Sequence, residues 1–205
     1  MNMPAKTGML AGLLVLAGVL LGPGTGYTHP HVFIAQFTRV VFDEKGLAGI
    51  KVKWVFDQMF STLILEDFDP DGNRVLDPEE VKTIKEKAFS YIAPHNYYIH
   101  IKIDGRPFAV KFIKDFNASV IQDRLMYEFF IPCHVTALET PKQIIISPYD
   151  PAYYSTIYFP DGPYLGFENA DHFEVTSKTD IDRSTLIFYE TVNPYALFLT
   201  FKTKS

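Results

Sequence analysis

The sequence predicts a mainly β (α+β) domain, an antiparallel β-sandwich-like body with a helix–loop–helix set into it. Three observations carry that expectation. Short apolar runs with a period of two recur between Gly, Pro and Asp turns. A two-residue Asp104-Gly105 link joins two such runs, the strongest short-range signal of a hairpin. Between residues 58 and 92 the period changes to that of helices, and a dense acidic loop divides them.

The N-terminal segment reads as an address. A weakly basic lead ending at Lys6 precedes an apolar run over 9–21, and the small, turn-rich 22–26 follows. The apolar run, about 13 residues, falls short of the roughly 20 that span a bilayer. Residues 1–28 are therefore expected to be a signal peptide cleaved between Gly26 and His29, leaving 29–205 as one periplasmic domain. Removing Lys6 takes the formal charge from −5 to −6. An acidic chain without basic clusters gives no support for nucleic-acid binding. Cys133 is the one cysteine, so no intrachain disulfide forms, and the core must supply stability. Aromatic residues make up 15% of the chain, ample material for one.

Taken in order, 31–42 and 47–56 are expected strands joined at 43–46. Tyr97, Ile99, Ile101 and Ile103 alternate with polar neighbours ahead of the Asp104-Gly105 turn, and a β-rich stretch over 106–113 follows. Ile121, Leu125, Tyr127, Phe129 and Ile131 continue the period of two. Further strands are expected at 143–147, 153–159, 172–176 and 185–189. The inserted helices cover 58–68, with Phe60, Leu63, Ile64 and Phe68 on one side, and 78–91, with Val81, Ile84, Ala88 and Ile92 at similar intervals.

The loop at 69–80 has the ligand spacing of an EF-hand. Calcium takes about six to eight hard oxygen ligands, which a twelve-residue loop supplies from positions 1, 3, 5, 7, 9 and 12. Here these are Asp69, Asp71, Asn73, the Val75 carbonyl, Asp77 acting through water, and Glu80 as the bidentate closer. Leu76 falls where an apolar residue ties such a loop to the core. Asp77-Pro78-Glu79-Glu80 is also a helix start, with N-cap, Pro at the first helical position and capping Glu. Arg74 departs from the pattern: it stands where glycine normally takes a positive φ, at an expected cost of about 1 kcal/mol. With no second loop present, the site is expected to be structural.

His29-Pro30-His31 would open the mature chain. In an extended segment both imidazoles face the same side and can grip one transition metal. Asp57, at a strand-to-helix junction, and Asp150, in an Asp-Pro turn, are the candidate additional ligands. His134 beside Cys133 is weighed as a soft pair and read as packing, and His95, His100 and His172 have no partner identifiable from sequence.

Four segments occurring in this order carry a resemblance: His29-Pro-His-Val-Phe33, Trp54-Val-Phe-Asp57 with Phe60-Ser61, the acidic loop at 67–80, and Tyr149-Asp-Pro with Tyr153-Tyr154. Together they resemble a family of bacterial exported proteins described as the periplasmic component of an ABC-type transport system. The resemblance covers essentially 29–205. It implies handling of nickel, cobalt or zinc beside a membrane metal permease or ABC-type transporter. The leading expectation is thus a periplasmic accessory that binds a divalent transition metal, with a structural Ca2+ site, and not an enzyme. The alternative is a calcium-braced binding module for a sugar, peptide or envelope partner, using Tyr149, Tyr153, Tyr154 and Tyr158 as an aromatic platform. A third reading, a copper oxidative site at a free His29 amine, has no other feature behind it, since no nucleophile motif or phosphate loop is found.

Overall fold

The computed structural model describes residues 31–204. The expected signal segment and His29 lie outside the described residues. Strands β1 (Val32–Asp43) and β2 (Gly46–Phe56) form the first hairpin, as expected. Asp43 Oδ1 closes its turn by accepting from the Lys45 and Gly46 amides. Gly46 is required there: its φ is +144°, and a Cβ would stand 2.3 Å from the Val135 carbonyl oxygen.

Helix α1 (Gln58–Phe68) and helix α2 (Pro78–Lys87) follow. The face of α1 differs in one respect from expectation. Leu65 is buried, while Leu63 is 54% exposed, because the chain enters from Asp57 with Ser61 and Leu65 turned inward. Helix α2 is shorter than the expected 78–91. It ends at Lys87, and tight 3-10 turns over Phe89–Tyr98 replace its last part, broken where Asn96 and Tyr97 take positive φ. The expected apolar stripe holds, with Ile84 fully buried and Val81, Ala88 and Ile92 packed against the core.

Strands β3 (Ile99–Ile103) and β4 (Arg106–Phe108) pair through Asp104 and Gly105, both at positive φ, as a two-residue hairpin turn demands. Strands β5 (Lys114–Ile121) and β6 (Arg124–Thr136) repeat that device through Gln122 and Asp123. After β7 (Lys142–Pro148) come the short β8 (Ser155–Tyr158) and β9 (Leu165–Glu168), then β10 (Phe173–Ile181) and β11 (Tyr195–Thr203).

The strands make two sheets. Sheet A is six-stranded in the order β5-β6-β2-β1-β8, with β9 also on β1; sheet B is five-stranded, β10-β11-β7-β3-β4. Pairing is antiparallel except at one edge, where β8 and β9 run parallel to β1. Strand β11, inside sheet B, is not among the segments expected from sequence. Conversely, 185–189 is a loop and not a strand: Ile187 makes an isolated bridge to Val192, and Phe188, Tyr189 and Glu190 all have positive φ. That loop is fastened by Asp182, which is 2% exposed and takes up Lys102 and the Ser184 and Thr185 hydroxyls.

The core lies between the sheets. Phe42 of sheet A meets Phe173 and Phe201 of sheet B at centroid distances of 5.0 and 5.4 Å. Trp54 is fully buried, and its indole N–H donates to Gln36 Oε1 at 2.9 Å. Gln36 in turn donates to Thr38 at 3.2 Å, so the buried polar groups of β1 are satisfied. Phe89 docks the helical insertion on sheet A, with ring centroids 5.1 Å from Phe129 and 4.5 Å from Phe116. Among the described residues no helix is long and apolar enough to cross a membrane.

Candidate functional site

The acidic loop is held from both ends. Asp69 terminates α1, its amide donating to the Leu65 carbonyl. Asp77 caps α2: its Oδ1 accepts from the Glu79 and Glu80 amides, and Glu80 Oε2 accepts from the Asp77 amide at 2.8 Å, a complete capping box. Between these ends the side chains fold inward on the backbone. Asp69 Oδ2 accepts from the Arg74 amide at 2.9 Å, Asp71 Oδ1 from the Asn73 amide at 3.1 Å, and Asn73 Oδ1 from the Val75 amide at 2.6 Å.

Asp69, Asp71 and Glu80 each place a carboxylate oxygen within 4.8 Å of the other two. Among the described residues this is the group of His, Cys, Asp and Glu that could hold a metal ion. Asp69 is only 6% exposed, and its Oδ1 is buried without a hydrogen-bond partner. A buried carboxylate oxygen without a donor is costly, on the order of 1–3 kcal/mol or more. A cation among the three carboxylates would remove that cost and their mutual repulsion together.

Arg74 takes φ = 59°, and Gly72 takes 67°. Arginine thus adopts the left-handed conformation that glycine normally supplies at that point of such a loop. Its guanidinium pairs with Asp123 in the β5–β6 turn. Sequence reasoning identified Arg74 as a departure and missed this partner, whose signal would have been a turn at Gln122-Asp123 between two alternating runs. Leu76 packs against the core, as expected, while the Val75 side chain is 71% exposed.

The second expected set is divided among three segments: the start of β1, the β2–α1 junction and the loop after β7. The His31 amide donates to the Tyr154 carbonyl at 2.8 Å, and its ring lies 5.0 Å from that of Tyr154. Asp57 caps α1 through Oδ1 on the Phe60 amide, and its Oδ2 accepts from the Phe33 amide at 2.7 Å. Asp150, 2% exposed, accepts from the Ala152 and Ser155 amides. It also faces Tyr98, whose phenol is pushed up to about 12 by burial first, then by the Asp150 charge and hydrogen bond. Among the described residues His31, Asp57 and Asp150 do not form a group of side chains that could hold a metal, and both carboxylates are engaged by backbone amides.

The tyrosines go separate ways. Tyr149 stacks on His100 and Tyr153 packs on Phe188, while Tyr154 and Tyr158 are exposed. Cys133 is buried, which pushes its thiol up to about 12, and His134 is exposed. The two are not a soft ligand pair.

A family model described as a protein of unknown function, DUF1007, matches residues 14–178, and the chain belongs to that family. An uncharacterized protein of Haemophilus influenzae is 29% identical over 154 residues, which is 71% of this chain and 66% of the relative. An uncharacterized 15.5 kDa protein in the trpE 3′ region of Spirochaeta aurantia is 24% identical over 93 residues, 45% of this chain and 66% of the relative. The chain thus spans just under two thirds of the length of these curated relatives.

Proposed function

We propose that this member of the DUF1007 family is an exported divalent-cation-binding protein whose 69–80 loop takes Ca2+ as a structural brace. On this reading it serves a nickel, cobalt or zinc transport system as a periplasmic accessory. The observation that carries the calcium part is the buried, unpartnered Oδ1 of Asp69 in a cluster with Asp71 and Glu80. Hard carboxylate oxygens at the mouth of a capped helix suit calcium better than a soft metal. Asn73, Asp77 and the Val75 carbonyl complete the oxygen set that the loop spacing supplies. An extracytoplasmic site of this kind needs only weak affinity, because weak EF-hand modules of about 10⁻⁴–10⁻³ M work outside the cell.

The transition-metal part rests on the resemblance and on the His29-Pro30-His31 segment. Of its two histidines His31 is among the described residues, where Asp57 and Asp150 are bonded to backbone and do not group with it as metal-holding side chains.

The test is calorimetric titration of mature protein with Ca2+, Zn2+, Ni2+ and Co2+, alongside metal content by mass spectrometry. One calcium per chain is expected, with affinity reduced at least about tenfold in Asp69→Asn and Glu80→Gln. One zinc, nickel or cobalt is expected in addition, lost in His29→Ala/His31→Ala. Calcium affinity unchanged in Asp69→Asn would overturn the loop assignment. Transition-metal affinity unchanged in the double histidine variant would overturn the second site and leave the first standing.

A further inference from the structure

The solvent-facing side of sheet A carries a cleft of about 610 Å³, within the range of roughly 300–1,000 Å³ typical of small-molecule sites. Strand register sets out its floor. Phe37, Lys53 and Glu128 stand directly opposite one another on β1, β2 and β6. Arg39, Lys51 and Phe130 form the next row, and β9 sets Gly166 opposite Arg39.

The charges in this floor are oddly paired. Arg39 and Lys51 face each other across strands, an arrangement that normally destabilises a sheet. Lys51 is neutralised by Glu168 at 2.6 Å. Arg39 and Lys53 have no carboxylate partner among the described residues. Lys53 stands opposite Glu128 and still does not pair with it: its ammonium lies over the Phe37 ring, 4.6 Å from the centroid. Arg39 is likewise drawn toward the β9 side, where Gly166 leaves room for it; a Cβ there would lie 2.6 Å from Nη1.

The opposite wall is acidic. Glu128 has no ion-pair partner among the described residues, nor has Asp115. Asp115 lines the cleft from an irregularity in β5, where the register shifts between Lys114 and Asn117 and Asp115 itself takes φ = 52°. Bulges of this kind re-aim side chains and cluster at functional sites, as does left-handed strain in a non-glycine residue. The cleft therefore presents free cations on the β1–β2 side and free carboxylates on the β6–β5 side, with Phe37, Phe130 and Tyr164 along it.

We propose that this cleft binds a short peptide by its two termini, the carboxylate on Arg39 and the ammonium on Glu128 and Asp115. Distance selects a short peptide over a single amino acid. Arg39 on β1 and Glu128 on β6 are separated by β2, so these two anchors stand at least roughly 10 Å apart at a spacing of about 4.8 Å per strand. A dipeptide extends about 7 Å, and the long Arg39 side chain swings from β9 toward it to close the remainder. The aromatic rings supply surface for its side chains. This site is independent of the metal reading, and neither depends on the other.

The experiment is calorimetric titration with alanyl-phenylalanine, its N-acetylated form and its C-amidated form. The free dipeptide is expected to bind one to one, with either block weakening it about tenfold. Arg39→Gln is expected to weaken the free and N-acetylated forms and leave the amidated form unchanged. Glu128→Gln is expected to weaken the free and amidated forms and spare the acetylated one. Lys111→Gln, outside the cleft lining, is the control and leaves all three unchanged. Equal affinity for blocked and free forms overturns the proposal, and so does absence of binding by all three to protein with a native circular dichroism spectrum and thermal midpoint.

Discussion

His100 lies face to face with Tyr149, centroids 3.7 Å apart and planes within 5°. Its Nε2 is buried without a partner. Burial lowers its pKa from the ordinary 6.5 to about 4; a Tyr149 backbone hydrogen bond opposes the shift and the neighbouring His95 adds to it. Between those values the unfolded chain binds a proton that the folded chain refuses, so stability falls as pH drops through that window. Asp182 acts lower down. Burial pushes its carboxyl up, but the Ser184 and Thr185 side chains, the Ser184 amide and Lys102 outweigh burial and take it from 3.8 to about 2. Its contribution is whole above 3.8 and is lost as pH falls toward 2. Urea unfolding at several values between pH 7 and 2 separates the two groups. His100→Phe, which keeps the stack and cannot titrate, is expected to flatten the loss of stability between pH 6.5 and 4 while leaving the steeper fall below it. A slope unchanged in the variant would show that His100 titrates alike in both states.

A buried hydroxyl ties helix α1 to sheet A. Ser61 is fully buried; its Oγ donates to the Asp57 carbonyl at 2.6 Å and accepts from the Leu125 amide at 2.9 Å. Ser61→Ala strands the Leu125 N–H in the core, and thermal or urea unfolding is expected to register a loss of about 1–3 kcal/mol. A loss under about 0.5 kcal/mol would mean that the amide finds another acceptor. This tie also marks where element-level reading of the sequence stops. Helix starts were legible, because Asp57 and Asp77-Pro78-Glu79-Glu80 write their caps locally, and so was the β3–β4 turn, because Asp-Gly names its own backbone conformation. The β5–β6 turn was not, since Gln122-Asp123 adopts positive φ under the pull of the pairing on either side. Strand β11 does carry the period of two, with Leu197, Leu199 and Phe201 all buried. The expectation instead fell on 185–189, where alternation serves a loop anchored by Asp182 and Ile187. The clustering of Asp69, Asp71 and Glu80 was legible in the same local way as the caps. The outer-face cleft was not, because its residues meet only through register across β1, β2, β6 and β9.

Across the whole molecule, the two sheets stand in different relations to the proposed calcium loop. The loop touches sheet A through Arg74 on Asp123, α1 through Ser61 on Leu125, and the turn after α2 through Phe89 on Phe116 and Phe129. Two of these ties end on one short stretch, 123–125, beside the β5–β6 turn. Sheet B contains a turn of the same size, Asp104-Gly105, tied by the Asp104 amide to Gln143 at 2.8 Å and by Lys142 to the Asp104 carboxylate at 2.7 Å, with no link to the loop among these contacts. Hydrogen exchange can therefore distinguish a local brace from global stabilisation. Calcium that binds only the folded chain opposes global unfolding by RT ln(1 + [Ca]/Kd), about 2.7 kcal/mol at a hundredfold excess over Kd. The slowest amides of both sheets should gain that same increment. Amides at 122–125, which exchange through local opening, should also slow, because each tie to the loop must break before they open. Those at 104–105 should not. Equal slowing at both turns would place the effect of calcium in the whole domain, and the protein would then have no privileged path from the loop to sheet A.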